Sequence, residues 1–597
     1  MKRLLSIVVI TLFLLNNALA TEKPTDRPRK TASKPVANGF NPNARAEQQR
    51  QLFNRLNVNA AYPQQSGIQV ILSDSEKSSL SHSNEKNFKR VDSQLKQKIG
   101  LVRKVNKTVD FSLLGNVNLG QKVKPFALGH IYSKSGQNFW TGAIEAVDAT
   151  AMRIHFAGFN LPTSAKLYLF NAEGQAFGPY IGRGRNDNGQ FWSHTISGSL
   201  AYIQVEFDDS VTSLDFKNTR FTIANIGYIG ASFKLLNLWA TCQQNEDCIY
   251  DADDSRAMNR ISTVNAVNIV NNTKQAVGHM QFVSGRYIYL CSGGLLADSV
   301  ASGRNYFLTA NHCISKGNEA NSLEAYFFFS DCGNADTPPR TIGSSILSSN
   351  RKSDYTLLEL DGNVPAGTIR LGWNANEVAS IHEQPLYRIS HPQGAPQAYS
   401  DHTVDTSNTT CRSWPRGAWI YSRDSFGATD GGSSGSPVVD AAGLVVGQLS
   451  GACGFNLNDV CDAEHNATVD GALAAYFDNV SQWLAPTGAP NPDPEPNPDS
   501  DFSVVLSADS TPGRGERWTV TVNISVAPAI ATAVVTGQWS GKAKGSGNCT
   551  TNNSGQCTVS KNNLKPDGSA TFTLTSIEHP EYGYSGNDSI TVSSPTQ

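Results

Sequence analysis

Long apolar segments are missing from almost all of this 597-residue chain. After residue 20 no stretch is both long and apolar enough for a membrane-spanning helix, which argues against a helical membrane protein. An excess of charge of one sign is missing too. Lys and Arg number 49 against 51 Asp and Glu, a formal net charge of −2, so no whole-chain basic field exists to gather nucleic acid. The basic residues near the start (Lys23, Arg27, Arg29, Lys30, Lys34) are interrupted by Pro and Thr, and read as a solvated, disordered leader rather than a binding arm. Cysteine is absent before Cys242, and those that follow never take paired CxxC spacing, which argues against a structural metal site. Nothing in the chain asks for a metal or another cofactor.

What is present begins with Met1–Ala20. Lys2-Arg3, an apolar run from Leu4 to Leu15 and a closing Ala18-Leu19-Ala20 describe a secretory signal peptide, cleaved before Thr21. The expectation is a secreted, extracellular protein without a membrane anchor. Cysteine usage agrees with an oxidising compartment. Eight cysteines (Cys242, Cys248, Cys291, Cys313, Cys332, Cys411, Cys453, Cys461) fall in one block and two (Cys549, Cys557) in the tail. Even counts in both blocks suit a disulfide framework.

The chemistry concentrates in three stretches. Gly431-Gly432-Ser433-Ser434-Gly435-Ser436-Pro437 precedes two apolar segments, Val438-Val439 and Leu444-Val445-Val446. Glycines leave backbone N–H groups uncovered, and a serine held in such a turn can attack a carbonyl while those groups bind the oxyanion. Alone, such a run reads as an ordinary Gly/Ser loop. Upstream stands Tyr306-Phe307-Leu308-Thr309-Ala310-Asn311-His312-Cys313, and between the two stands Ser353-Asp354-Tyr355-Thr356-Leu357-Leu358-Glu359-Leu360. A serine hydroxyl needs a base, and an imidazole base needs a carboxylate to hold its tautomer. The chain supplies His, Asp and Ser in that order.

The wording around these residues resembles the trypsin/chymotrypsin superfamily: Leu-Thr-Ala-x-His-Cys, Asp-Tyr-Thr-Leu-Leu-x-Leu and Gly-x-Ser-Gly-x-Pro. Cys242-x5-Cys248, Cys291-Ser-Gly-Gly, and Cys332 after Tyr326-Phe327-Phe328-Phe329 narrow the likeness to the bacterial lysyl endopeptidase branch, over about residues 237–486. The resemblance implies a chymotrypsin-like double β-barrel. Ser434 would be the nucleophile, His312 the general base and then acid, and Asp354 the group that orients the imidazole. The N–H groups of Gly432 and Ser434 would form the oxyanion hole. It also implies disulfides Cys291–Cys313 and Cys248–Cys332, with Cys242 reaching Cys453 or Cys461 and Cys411 taking the remaining cysteine. Stapling the His-bearing turn to the strand before it is worth about 3 kcal/mol.

Specificity is read from the same likeness. The position six before the nucleophile, acidic in trypsin, is Ala428 here. Asp470 falls where the lysyl endopeptidase branch places its specificity aspartate, so Asp470 and Ser450 are the expected S1 residues, with Asp430 a second carboxylate that shapes the turn. Ser450 stands where the lysine-specific enzymes carry His, so Lys or Arg is expected rather than Lys alone. Ser433 replaces the Asp that trypsin uses to bind its new N-terminus, so activation would rest on removing a leader, with a cut after Lys234.

Around this domain the chain is divided as follows. Residues 1–20 are the signal peptide, and 21–236 a propeptide. Its start is polar and poorly ordered, with helices expected at Ala44–Leu56 and within Asn87–Val105. From about residue 106 it becomes β-rich, with turns at Asn171–Gly174 and Asn188-Gly189 and core candidates Trp140, Phe156, Tyr168, Phe170 and Trp192. The protease-like domain spans 237–486 and ends on a helix over Gly471–Leu484. Residues 487–501 form a Pro-rich linker. Residues 502–597 read as an immunoglobulin-like β-sandwich, from the alternation of Trp518, Val520, Val522, Ile524 and Val526 with polar residues, and Cys549–Cys557 closes a short loop there. Its aromatics Trp518, Trp539, Tyr582 and Tyr584 are core or ligand-binding. The expected activity is a monomeric secreted serine endopeptidase acting on polypeptides after Lys or Arg, with its own propeptide as folding aid or inhibitor. The alternatives are the same class with another P1 preference, or a non-enzymatic pseudoprotease or adhesive surface protein.

Overall fold

Six antiparallel strands close on themselves in the second half of the chain. In ring order they are Pro385–Ser390, Ala398–Val404, Trp419–Phe426, Asn466–Ala472, Val445–Gly454 and Pro437–Asp440, the last returning to the first. Alternate positions face inward, and Leu386, Val404, Ile420, Val438, Val446 and Ala472 form one buried cluster there. A second set of six runs as an open barrel: Glu324–Tyr326, Val277–Ser284, Tyr287–Leu296, Tyr306–Ala310, Tyr355–Leu360 and Ser344–Asn350. Its core holds Met280, Phe282, Leu295, Phe307, Phe327 and Leu358. Between the barrels lies a third cluster. Leu308, Tyr355 and Leu357 of the first barrel meet Ile389, Val439 and Val445 of the second, closed by Tyr476, Phe477, Val480 and Leu484 of the helix Leu473–Leu484. This is the chymotrypsin-like double barrel of a mostly β protein.

The computed structural model describes residues 27–595, apart from 37–38, 63–66, 82–91, 94–95, 115–122, 209, 231–246, 331–337, 409, 487–502, 514–516, 528–531, 553, 567 and 580–587. The signal segment, Lys234, Cys242, Cys332, the Pro-rich linker, Tyr582 and Tyr584 lie outside the described residues. Among the described residues no helix is long and apolar enough to cross a membrane.

The N-terminal β unit is built as its alternation suggests. Ala165–Phe170, Leu200–Phe207 and Gln137–Ala146 pair in one sheet, while Ala151–Asn160, Arg220–Ile229 and Gln97–Asp110 pair in another. Trp140, Ile144, Phe156, Leu167, Val205 and Phe221 are buried in their shared core. The Asn171–Gly174 turn joins two paired strands, and the Asn171 carboxamide oxygen accepts from the Glu173 N–H. Asn188-Gly189 lies in a longer loop between Ala176–Tyr180 and Phe191–Trp192, rather than in a two-residue hairpin.

Two expectations for the leader are corrected. The helix Pro42–Asn59 forms, started by Pro42 and capped by Asn41. The basic stretch that ends at Val105 is a strand, Gln97–Asp110, because both of its edges are taken: Arg220–Ile229 on one side and Tyr287–Leu296 of the first barrel on the other. Partnered edges outweigh the helix preference of Lys and Gln. The first basic residues are not a free tail either. Lys30–Thr31 pairs with Trp373–Asn374 and Lys34–Pro35 with Ile369–Arg370, and the Lys34 ammonium donates to the Asp298 carbonyl.

At the C-terminus, Ser503–Pro512, Trp518–Ala527 and Gln556–Leu564 form one sheet. Gly545–Thr550, Val534–Gly541, Ser569–Glu578 and Ser589–Ser593 form another. Trp518, Val520, Val522, Ile524, Trp539 and Phe572 fill one core, so the two tryptophans are packing residues.

Four disulfides are formed among the described residues: Cys248–Cys461, Cys291–Cys313, Cys411–Cys453 and Cys549–Cys557. The expected Cys248–Cys332 bridge is therefore overturned, and Cys453 and Cys461 are not open to Cys242. The cause is local. Tyr250–Asp251 pairs with Ala398–Tyr399, which carries Cys248 to the second barrel, beside Val460 and the loop that bears Cys461.

Candidate active site

His312 ends the strand Tyr306–Ala310, two residues past its last paired position. Asp354 immediately precedes the neighbouring strand Tyr355–Leu360, whose Tyr355 pairs with Ala310. That register puts imidazole and carboxylate side by side. His312 Nδ1 lies 2.8 Å from Asp354 Oδ2, and the His312 backbone N–H donates to Asp354 Oδ1 at 2.8 Å. The carboxylate is only 2 % exposed. Asp354 itself has φ +47°, a left-handed conformation unusual for a residue with a side chain. It is pinned from behind: the Asn311 N–H and Gln448 Nε2 both donate to its carbonyl, at 3.0 and 3.1 Å. Gln448 is held in turn by the hydroxyl of Tyr476 on the closing helix.

The serine turn crosses from the second barrel to meet this pair. The Ser292 N–H donates to the Ser434 carbonyl at 2.8 Å, and the Cys313 sulfur approaches the same oxygen at 3.7 Å, so the turn is tied to both ends of the Cys291–Cys313 staple. Gly435, at φ +82°, is pressed so close to Thr309 and Ala310 that a Cβ would meet Thr309 Oγ1 at 2.2 Å. Gly432, at φ +100°, is equally confined, a Cβ there falling 2.6 Å from the His391 carbonyl. Only glycine satisfies both the angle and the space. The Ser292 hydroxyl bridges the two sides, donating to the Gly432 carbonyl and accepting from the His391 N–H. Burial pushes the His391 imidazole down to about 4, so it is neutral at pH 7 and acts as packing beside Phe329.

The other expected residues fall as follows. Ser433 is fully buried and bonds to the Ser390 hydroxyl, an uncharged anchor for the turn. The Asp430 carboxylate accepts from Gln393 Nε2 and the Gly431 N–H, so it shapes the turn. Asp470 lies elsewhere than expected. Both it and Arg388 are 0 % exposed, and Arg388 Nη2 donates to Asp470 Oδ1 at 2.6 Å. A carboxylate already paired with a buried guanidinium and sealed from solvent is a poor receptor for a substrate cation, even though its Oδ2 has no partner among the described residues, and this argues against the S1 expectation for Asp470. Ser450 is also fully buried, at a bulge between Leu449 and Gly451, and neither residue lines the cleft that Thr429, five residues before Ser434, borders. That cleft is bounded by Thr429, Ala452 and Asn466–Thr468, with Asp424 on its wall. Asp424, Arg388, Gln448 and Ser292 had no signal in the sequence, because each acts through partners far away in the chain. Cys291, Cys313 and His312 offer three atoms within 4.8 Å of one another, but both sulfurs are consumed in the disulfide.

A double barrel with a His–Asp pair and a glycine-bound serine turn at its crease defines the trypsin/chymotrypsin-like serine proteases. Residues 253–465 match the family model described as lysyl endopeptidase, C-terminal domain. That segment, about a third of the chain, is thus similar to the lysyl endopeptidase branch. Among solved structures, the chain is similar to the Rv3671c protease of M. tuberculosis in its inactive form, at 14 % identity over 37 % of this chain and 94 % of that one, TM-score 0.26. It is also similar to kallikrein-related peptidase 10 in complex with Zn2+, at 18 % identity over 36 % and 96 %, TM-score 0.24. A third is the MamO protease domain of Magnetospirillum magneticum, at 12 % identity over 35 % and 96 %, TM-score 0.25.

Proposed function

We propose that the protein is a secreted serine endopeptidase that cuts polypeptides after Lys or Arg through an acyl-enzyme. The observation that carries this is the 2.8 Å His312–Asp354 contact beside the Ser434 turn. Ser434 attacks the scissile carbonyl while His312 Nε2 takes its proton. Asp354 holds the tautomer that leaves Nε2 free to do so, and stabilises the imidazolium. The N–H groups of Gly432 and Ser434 receive the developing oxyanion, and losing one such donor typically costs about 100–1000-fold in rate. His312 then returns the proton to the leaving amine.

In this reading, residues 21–236 are a propeptide that folds onto the protease, and a cut after Lys234 begins its release. The immunoglobulin-like sandwich at 502–597 is an appendage joined by the linker. Three contacts support a leader that both templates and blocks. Gln97–Asp110 extends the sheet of the first barrel through Tyr287–Leu296. Arg153 of the leader is fully buried against Glu324 of that barrel and donates to the Ser322 carbonyl at 2.7 Å. The backbone of Asp92–Ser93 pairs antiparallel with Ala452–Cys453, on the strand that walls the cleft. The test is hydrolysis of matched peptide amides ending in Lys, Arg, Phe or Glu by the processed protein and by Ser434→Ala. Cleavage by wild type alone, led by Lys or Arg, is expected. No cleavage by protein shown to have shed its leader would overturn the reading.

A further inference from the structure

The cleft bordered by Thr429, Ala452 and Thr468 contains a carboxylate, Asp424, that no motif announces. Asp424 sits on Trp419–Phe426, opposite His402 on one neighbouring strand. On the other side its strand pairs with Asn466–Ala472, Ser422 facing Thr468 and Ile420 facing Asp470. Positions 420, 422 and 424 share one face of that strand, so Thr468 lies near Asp424 while Asp470 lies two residues further along. At about 3.4 Å per residue, that is roughly 7 Å deeper into the barrel. The depth separates a residue that reaches the cleft from one sealed behind it.

We infer that Asp424, not Asp470, is the residue that receives the cationic side chain of the substrate. The inference rests on the protease reading and deepens it. Asp424 Oδ1 is occupied twice, by His402 Nδ1 at 2.7 Å and by the Thr468 hydroxyl at 2.8 Å. Its Oδ2 has no hydrogen-bond partner among the described residues, and the side chain keeps 13 % exposure. The carboxylate is thus held by one oxygen and presents the other at partial exposure, whereas the unpartnered Oδ2 of Asp470 is sealed at 0 % exposure. His402 is fully buried and fixed from behind by the Ser400 hydroxyl at 2.9 Å, so it positions Asp424 without reaching the cleft itself.

Charge settles the choice between the two aspartates. No Lys or Arg is among the residues that line the cleft, whereas Arg388 compensates Asp470 in full burial. A second carboxylate, Asp462, lies on the cleft wall. Hydrogen bonds from the Asn456 amide and the His465 backbone, with the His465 imidazole 2.9 Å from Oδ2, hold it at about 2, so it stays ionised at neutral pH. Thr429 and Asn466 add neutral polar groups between the two. An anionic cleft with no Lys or Arg among its lining residues, the Arg423 guanidinium being spent on the Ala463 and Asn466 carbonyls, selects Lys or Arg by pairing and hydrogen bonding.

The test compares the processed wild type with Asp424→Asn and Asp424→Ser on matched amides ending in Lys, Arg or Leu. The expected result is a fall in the Lys-to-Leu and Arg-to-Leu ratios of kcat/KM by roughly 30- to 1000-fold in both variants. Benzamidine, a small amidinium ion, provides a second readout by titration calorimetry on Ser434→Ala, where Asp424→Asn should abolish binding. A wild-type enzyme that prefers Lys or Arg, with ratios and benzamidine affinity unchanged in the Asp424 variants, would overturn the assignment and leave the protease reading standing. A processed wild type that cleaves none of the amides would overturn both.

Discussion

Replacing Asp470 by Asn separates a structural carboxylate from a specificity carboxylate. The substitution keeps the shape but leaves the Arg388 guanidinium without its counter-charge at 0 % exposure. Removing one partner of a buried ion pair costs about 3–5 kcal/mol. For a domain of about 150–250 residues each kcal/mol is roughly 2–4 °C of Tm, so the melt should fall by about 6–20 °C. Arg388 Nη1 also donates to the Ser436 carbonyl and hydroxyl, at 3.1 and 3.2 Å, two residues beyond the nucleophile. The loosened turn should therefore lower kcat/KM for Lys, Arg and Leu substrates alike. Thermal melts belong in a Ser434→Ala background, which prevents self-digestion, and kinetics in the active enzyme. A melt shifted by less than about 2 °C, together with loss of Lys and Arg cleavage but not of Leu cleavage, would refute the argument and return Asp470 to the pocket.

Other perturbations test the remaining contacts. Asp354→Ala should lower kcat by about 10⁴ with little change in KM, measured on the best amide substrate; a large KM effect instead would assign Asp354 to binding. Gln448→Leu removes the donor to the Asp354 carbonyl and the acceptor of the Tyr476 hydroxyl. It should cost about 1–3 kcal/mol by denaturant titration and lower kcat more than it changes KM. Acid should release the leader. Burial raises the Glu324 carboxyl, but Arg153 and Arg340 outweigh this and leave it below its ordinary 4.5. A depressed carboxylate contributes fully above its ordinary value, and that contribution is lost as pH falls through the lowered one. Gel filtration of the nicked leader–protease pair should show a complex at neutral pH and dissociation only below about 4.5. Dissociation that sets in above that value would point to another group.

Legibility from sequence followed the range of the interactions. The double barrel was readable through the wording around His312, Asp354 and Ser434, whose resemblance to the trypsin/chymotrypsin superfamily implies it, and the closing helix carries Tyr476 and Val480 at helical spacing. The leader was harder. Gln97–Asp110 has the composition of an exposed helix, and only its two partner strands, one more than a hundred and the other nearly two hundred residues away, make it a strand. The same holds for Lys30–Thr31 and Lys34–Pro35, whose partners lie more than three hundred residues on. Cys248 was misassigned for this reason too. Its partner depends on which barrel Tyr250–Asp251 joins, and nothing local to the cysteine states that.

The candidate site divides along the same line, with a chemical consequence. His312, Asp354 and Ser434 sit in words that demand particular local geometry: a strand end, a left-handed residue before a buried strand, and a turn that only glycine can make. Such demands are written where the residues are. A specificity carboxylate makes no local demand. What gives Asp470 and Asp424 different chemistry is which cation or hydroxyl each meets across the sheet, Arg388 for one and His402 with Thr468 for the other. Two residues of register exchange these environments, since that step moves a side chain about 7 Å along the same face. An aspartate found at a familiar place in the sequence is therefore evidence of a charge, and the strand pairing decides whether that charge is spent inside the barrel or left for a substrate.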